Sequence, residues 1–375
     1  MFRRFGIEPN IRSSGSLELQ LRCFVRLLRE LHAEIQSCRG ISWSRRIQAW
    51  RLGFRSRSAA LYQIDACNRA GYIPDFAYAW RSHAINGFWN PIIGNKLVVS
   101  QVLAAHGIPR PRVLGIVSRG RILIPSPQPG DDGKEALQAW TADAQTVVFR
   151  PHWSGGGEGV FFVRREGETW FINEQEATMH AVMHLIGGID RYIATTFVEQ
   201  AAYARAIYPQ SSNTLRVLTL GDAAGPFMAS VVHRFGTSRS FPVDNFHRGR
   251  GGVCAAVHLD AQRLGRALSV DRHDKPHWHS VHPETGSPIE GVLIPGLHSA
   301  LQGVLAAARC FPEARIVGWD LLITDAGFSI LEANAPPGIV VSQATGPLLA
   351  TPRTAAFFAE QGFRVPVDMA SASRA

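Results

Sequence analysis

The chain has 375 residues, 46% of them apolar, and a formal net charge of +9. That length is enough for a large core divided into more than one lobe, and no run of about 18 uninterrupted apolar residues exists to cross a membrane as a helix. The five cysteines (Cys23, Cys38, Cys67, Cys254, Cys310) are scattered without a CxxC pair, which suits reduced thiols in cytosol and argues against a disulfide framework.

The basic start Met1-Phe2-Arg3-Arg4 is followed by no apolar h-region, so no secretory signal is expected and a cytoplasmic location is. Lysines are only three (Lys96, Lys134, Lys275), leaving 36 arginines among 39 basic residues. Spread along the chain, they read as compositional bias, and no nucleic-acid partner is expected. The densest patch is Arg45, Arg46, Arg51, Arg55 and Arg57, interleaved with Trp43, Trp50 and Phe54. It reads first as a solvated helix face or internal ion pairs, with nucleic acid, acidic lipid or an anionic substrate as alternatives.

In chain order, Leu17, Leu21, Phe24, Leu28, Leu31 and Ile35 fall at alternating steps of four and three, a helical seam. It is expected to pack on the protein's own body, with oligomerisation through these helices as the alternative. From about Ser42 to Asn90 the chain reads helical, broken at Gly71 and Pro74. A short helix, Asn95 to His106, stops at Gly107 and Pro109. Strands are expected at Arg112–Val117, Ile122–Ile124, Thr146–Arg150, Val160–Val163 and Trp170–Ile172, then a helix from Glu174 to Ile186. Further strands fall at Tyr192–Val198, Thr214–Leu220, Phe227–His233 and Val253–Leu259, followed by a helix over Pro295–Arg309. A last helix near Thr354 to Gln361 precedes a disordered-looking tail, Met369–Ala375. Mixed strands and helices without regular βαβ alternation give an α+β class.

Five stretches carry chemistry. In "GNKLVVSQVLAAHGIPRP", Lys96 occupies a first helical turn, where the macrodipole disfavours a cation, so it suggests a phosphate contact as well as a plain solvated lysine. In "TVVFRPHWSGGGEGVFFV", a β run ends in Arg150 and a glycine loop follows. Such a loop lets backbone N–H groups approach phosphate, or is simply a flexible hairpin; no Gly-Lys-Ser/Thr follows to make it a P-loop. Arg216 interrupts the apolar strand of "SSNTLRVLTL" and needs an anion or a route to solvent. In "FPVDNFHRGRGGV", Asp244, Asn245 and His247 form a polar loop able to line a site.

The fifth stretch is "GWDLLITDAGFSILEANAPPG", two apolar runs around Asp325-Ala326-Gly327, the pattern of a buried hairpin. A three-residue loop with Gly327 left-handed makes Asp320 face Glu332, with Asn334 on the same side, a hard-oxygen set suited to Mg²⁺. A two-residue loop would put Asp320 and Glu332 on opposite faces, and a strand end reaching solvent is the plain alternative. The cluster His273, His277, His279 and His282 invites a zinc reading, but no cysteine is near and its spacing matches no structural zinc pattern.

Taken in order, these segments resemble the ATP-grasp superfamily. More narrowly, "NTLRVLTL", "VDNFHRGRGGV", "HPETG" and "GWDLLITDAGFSILEAN" resemble its sugar-transfer-associated family, and the resemblance covers roughly Leu52 to Gly346. The resemblance implies an ATP-grasp fold: two α+β subdomains enclosing the nucleotide, after a helical N-terminal region. The expected division is 1–94 helical, 95–191 the subdomain with the glycine loop, 192–350 the subdomain with the metal site, and 351–375 a terminal helix and tail. It implies ATP with Mg²⁺ (or Mn²⁺), Lys96 and Arg150 on phosphate, and Ser154, Gly155, Gly156, Gly157 and Gly159 closing over it. Thr196 and Val198 would meet adenine and Glu199 the ribose, while Asp320, Glu332 and Asn334 would hold the metal. Arg216 and Arg150 would act in catalysis, and Asp244, Asn245 and His247 stand as substrate contacts.

The implied activity is ligation of a small carboxylic acid to an amine through an acyl phosphate, in cell-surface polysaccharide or small-molecule biosynthesis. A kinase acting on a hydroxyl and a non-catalytic nucleotide-binding scaffold are the alternatives. The chain departs from the family pattern in having Arg150 where Lys is expected, Asn95 where Asp commonly precedes the lysine, and Thr195 where an acidic or amide residue is common.

Overall fold

The computed structural model describes residues 40–123, 133–153, 157–249, 251–271 and 275–363, with residues 21, 24, 25, 28, 29, 32, 34 and 35 of a preceding helix. Leu17, Leu31, Ile124, His273 and the tail Met369–Ala375 lie outside the described residues. Helices follow in close succession: α1 (Trp43–Arg51), α2 (Ser56–Leu61), α3 (Asp75–Asn86), α4 (Trp89–Ile93) and α5 (Lys96–Ala105). The expected breaks at Gly71 and Pro74 separate α2 from α3.

Two antiparallel sheets of seven strands follow. The first contains β1 (Val113–Ser118), β2 (Arg121–Leu123), β3 (Thr146–Pro151), β4 (Phe161–Glu166), β5 (Thr169–Ile172), β6 (Gln175–Ala177) and β7 (Tyr192–Thr196), ordered β2-β1-β7-β3-β4-β5-β6. Helices α6 (Lys134–Ala144) and α7 (Met179–Gly187) bury Leu137, Trp140, Val182 and Ile186 against its Val147, Phe149, Val163 and Ala194. One face of this sheet therefore has its own apolar core, and the other is left to face the second sheet.

The helix expected from Glu174 begins only at Met179. Asn173 and Glu174 have φ of +47° and +68° and turn the chain into β6, pairing Ile172 with Gln175. Two successive left-handed residues make the hairpin turn whose twist matches its strands, and this local geometry overrides the helical reading. The helix starts instead behind Thr178, whose hydroxyl accepts the Ala181 N–H at 3.1 Å.

Residues 197–201 link β7 to α8 (Ala202–Ile207) and the second sheet. That sheet contains β8 (Leu215–Asp222), β9 (Gly225–Phe235), β10 (Val253–His258), β11 (Arg263–Val270), β12 (Pro276–His279), β13 (Ile316–Thr324) and β14 (Gly327–Asn334). Its order is β12-β11-β10-β9-β8-β13-β14; α6, β11 and β12 are elements the sequence did not announce. Helix α9 (Leu297–Arg309) packs Leu301 and Val304 on Val217, Trp319, Ile323 and Ile330. On the other face of β8, α3 and the C-terminal α11 (Pro352–Glu360, after α10, Val340–Ala344) press Tyr78, Phe357 and Phe358 on Leu218 and Leu220. The N-terminal helices thus help build the second sheet's core.

One buried acid sits among those helices. Asp75 accepts from the Arg55 backbone N–H (3.0 Å) and the Ser58 hydroxyl (2.9 Å). Burial, with Glu34 adding to it against the Ser58 hydrogen bond, pushes its pKa up to about 7. The folded state therefore holds this proton more tightly than the unfolded chain, where an aspartate titrates near ~3.9. Stability from Asp75 is greatest at low pH and is lost as pH rises through the window from about 4 to about 7. Asp75→Asn should flatten that part of the stability–pH curve and stabilise the protein at about pH 8 by on the order of 2–3 kcal/mol. Urea melts of both proteins across this range check it; parallel curves would show that Asp75 is charged at neutral pH.

Candidate active site

The hairpin of β13 and β14 departs from the expected geometry in two ways that cancel. Its loop has two residues, because Thr324 pairs with Gly327, Leu322 with Ser329 and Leu321 with Ile330. Continued regularly, that register would set Asp320 opposite Leu331 and send Glu332 to the far face. A β-bulge at Leu331 intervenes, and Asp320 pairs with Glu332 after all. Ile330 and Ala333 consequently turn into the core under α9, while Leu331 and Glu332 both line the cleft between the sheets.

On the other side of Asp320, β13 pairs it with Arg216 of β8. Arg216, Asp320 and Glu332 therefore form one row across three strands. Arg216 grips Asp320 with two parallel bonds, Nε to Oδ1 at 2.6 Å and Nη2 to Oδ2 at 2.7 Å. Arg234, from β9, adds a third contact to Asp320 Oδ1 at 3.0 Å. Burial pushes the Asp320 carboxyl up, but Arg216 and Arg234 outweigh it and hold its pKa below the usual carboxylate range. Arg234 was missed by the sequence reading, although "VVHRF" interrupts an apolar strand as Arg216 does. Burial opposes its charge, and Asp244 with Asp320 more than compensates, keeping its pKa raised.

Two cations reach this row from elsewhere. Lys96 Nζ lies 3.1 Å from Glu332 Oε2 and is almost fully buried. Its backbone N–H is fixed by the His152 carbonyl at 3.0 Å. Asn95 is the N-cap of α5, its Oδ1 accepting from Leu97 (3.0 Å) and Val98 (3.2 Å), so an amide serves where an aspartate was expected. Arg150, at the end of β3, donates through Nη1 to the carbonyl of Leu331 at 2.9 Å. That carbonyl belongs to the bulge residue, so a side chain of the first sheet ties down the irregularity in the second. Burial lowers the Arg150 pKa, with Glu332 opposing.

The remaining expected residues divide by position. Gly157 and Gly159 have φ of +77° and +74°. A Cβ at Gly157 would fall 2.4 Å from Val243 Cγ1, so only glycine lets the loop close on the segment containing Val243. Ser154, Gly155 and Gly156 lie outside the described residues. Thr196 and Val198 line the cleft at the sheet-to-sheet link, with Val148, Phe162, Leu322 and Leu331 as apolar walls. Glu199 does not line it: its exposed carboxylate accepts from Arg205 at 2.8 Å. Asp244 and Asn245 line the cleft, but Asp244 is buried and fixed by the Thr214 N–H (2.7 Å) and hydroxyl (2.6 Å), an anchor for its loop. His247 is exposed, on a one-turn helix away from the cleft lining. Thr195 is buried in the first sheet. In the histidine cluster, His279 pairs with Ser269 (2.8 Å), His282 with the Gly236 carbonyl (2.8 Å) and His277 with Asp271 (3.4 Å). Among the described residues no group of His, Cys, Asp and Glu is placed to hold a metal by itself.

Asp320, Glu332 and Asn334 do converge. The Asn334 amide donates to Asp320 Oδ2 and Glu332 Oε1, each at 3.2 Å. Their oxygens are of the kind a hard divalent cation takes. Fit depends on which oxygens are available: Asp320 is committed to two guanidinium groups, whereas Glu332 and the Asn334 carbonyl oxygen are less so. The donor set fits Mg²⁺ in kind, with Glu332 and Asn334 less committed than Asp320. Around it, Lys96, Arg150, Arg216 and Arg234 outnumber Asp244, Asp320 and Glu332 by one charge. The polar end of the cleft is therefore nearly balanced, with an excess of one positive charge.

Removing the carboxylate should be costly. Asp320→Asn leaves two buried guanidinium groups without their shared counter-charge and should destabilise the fold by roughly 3–5 kcal/mol. Chemical denaturation measures this; a loss under about 1 kcal/mol would mean the arginines are solvated and the row is not a buried network.

A family model for sugar-transfer associated ATP-grasp proteins matches residues 83–357. No curated protein matches the chain in sequence. Among solved structures, N5-carboxyaminoimidazole ribonucleotide synthetase with ADP is similar at 12% identity and a TM-score of 0.38, over 66% of this chain and 45% of that one. The D-Ala:D-Ser ligase VanG from Enterococcus faecalis is similar at 11% identity and 0.39, over 70% of this chain and 55% of that one. The D-alanine-D-alanine ligase from Coxiella burnetii is similar at 10% identity and 0.38, over 78% and 67%. The chain spans about half the length of the first two.

Proposed function

The chain belongs to the sugar-transfer-associated ATP-grasp family, and from that membership we propose that it is an ATP- and Mg²⁺-dependent ligase joining a carboxylic acid to an amine. The observation that carries this is the gathering of Lys96, Arg150, Arg216 and Arg234 around Asp320, Glu332 and Asn334 at one end of a cleft with apolar walls. In this reading adenine lies between Val148, Phe162, Leu322 and Leu331, meeting the backbone at Thr196 and Val198, with Glu199 near the ribose. The loop with Gly157 and Gly159 covers the phosphates, and Arg150 turns its remaining N–H groups to them. Glu332, Asn334 and Asp320 hold Mg²⁺ (or Mn²⁺), which when bound neutralises phosphate charge.

The chain's own part is positioning and charge neutralisation. Arg216 and Arg234 orient the acid's carboxylate toward the γ-phosphorus. A carboxylate oxygen forms the new O–P bond, and the bond from the γ-phosphorus to the bridging oxygen breaks, releasing ADP. The amine then attacks the acyl carbon, phosphate departs with the bonding pair, and the nitrogen loses its proton to solvent. Asp244 acts through Thr214 and Arg234 as a positioning residue, and Asn245 faces substrate. The division into 1–94, 95–191, 192–350 and 351–375, a cytoplasmic site, and a place in cell-surface polysaccharide or small-molecule biosynthesis belong to the same proposal. No described helix is long and apolar enough to cross a membrane.

Purified protein with ATP, Mg²⁺ and a panel of small acids, using hydroxylamine as the trapping amine, tests it. ADP and hydroxamate should appear only when a suitable acid is present, and Glu332→Gln should lower the rate by roughly a hundredfold or more. A stable phosphorylated alcohol, with hydroxylamine untouched, would replace the ligase with a kinase. Tight ATP binding without turnover on any acid or alcohol would make it a scaffold.

A further inference from the structure

The chain's positive charge is not evenly distributed. Residues 1–57 contain 12 arginines against 4 glutamates, a net of +8 out of the chain's +9. The rest of the protein is nearly neutral, so the arginines are not the uniform compositional bias they first resemble.

The same segment exposes apolar side chains. Leu21, Phe24, Val25, Leu28 and Ile35 are all exposed, from 37% at Val25 to 60% at Ile35. At 3.6 residues per turn these positions, with His32, span roughly 100° of one helix face. The seam expected to pack on the protein's own body therefore faces outward at every described position.

The helix is nevertheless fastened, by the opposite side. Glu34, roughly 130° from the centre of the stripe, is buried and accepts from Trp50 Nε1 (3.0 Å) and the Ser56 N–H (2.8 Å). Arg46 donates to the Glu34 carbonyl at 3.0 Å. Helix α1 also exposes Trp43 and Ile47 one turn apart, with Arg51 exposed beside Ile47 and Arg45 exposed on the helix's other side. Arg46 lies 4.2 Å from the centroid of a Trp43 ring, which holds that indole in place.

We propose that this N-terminal face is a peripheral docking surface for an anionic lipid membrane. A lipid surface satisfies both features at once: acyl chains receive the Leu, Phe, Val and Ile stripe, and acidic headgroups meet the arginines, each worth about 1 kcal/mol near such a surface. A second copy would cover the apolar stripe but bring two +8 segments together. Nucleic acid would answer the charge and leave the stripe in water. The inference is independent of the proposed activity, since it concerns residues outside the cleft.

The test is co-sedimentation of the full chain with vesicles of pure phosphatidylcholine and of equal parts phosphatidylcholine and phosphatidylglycerol. Binding is expected to the mixed vesicles only, and to weaken as salt shortens the Debye length toward ~3 Å at 1 M. Leu21→Ser/Phe24→Ser/Leu28→Ser should weaken partitioning by roughly tenfold or more. A second variant, Arg29→Glu/Arg51→Glu, alters only exposed positions beside the apolar side chains and should weaken binding by roughly tenfold or more while circular dichroism stays unchanged. Equal binding by either variant, equal binding to neutral vesicles, or no binding at low salt would overturn the proposal. So would a dimer in analytical ultracentrifugation that the serine variant dissociates.

Discussion

The polar end of the cleft depends on one surplus residue in a strand. Leu331 has no partner in the ladder, and that vacancy decides where everything after it points. Without the bulge, Glu332 would leave the cleft and Asp320 would face a leucine. With it, Ile330 and Ala333 stay in the core while Glu332 joins Asp320 and Arg216 in one row. An irregular backbone position needs something to satisfy its freed groups. Arg150 does so, its guanidinium bonding the Leu331 carbonyl from the facing sheet.

This gives a physical reason for arginine at 150. A lysine ammonium is a compact point charge at the end of a flexible stem, well suited to a single phosphate. A planar fork can hold a carbonyl with one N–H and still present others to an anion. Arg150 therefore joins the two sheets at the position where the carboxylates are set, and the departure from lysine has a structural role of its own. The arrangement is also electrically self-contained. Three carboxylates and four cations, each buried or half-buried, lie close together, and such a network costs little only because nearly every charge has a partner.

Much of this was legible in the residues. Arg216 and Lys96 each stood out as a cation in the wrong local setting, and each meets a carboxylate. The polar close of the last hairpin signalled a site. The register did not follow from the pattern: a three-residue loop and a two-residue loop with a bulge give the same Asp320–Glu332 pairing, and alternation alone cannot distinguish them. The consecutive apolar pair Ile330-Leu331 was the available sign of a bulge. Asp244 looked like a substrate contact because polar loop residues often are, yet its carboxylate is consumed by Thr214 and Arg234. Arg234 itself escaped notice because its partners come from β13 and the loop after β9, which no local window joins. The Glu199–Arg205 pair and the exposed position of His247 are set by neighbours in space, and the turn at Asn173-Glu174 by two left-handed residues in succession, none of which the apolar pattern signals.

The most direct measurement is a crystal structure of the protein with Mg²⁺ and a non-hydrolysable ATP analogue. The triphosphate is expected between the Arg150 fork and the Glu332–Asn334 pair, with adenine against Thr196 and Val198. An analogue whose phosphates lie away from Arg150, or a cleft that stays empty, would contradict it.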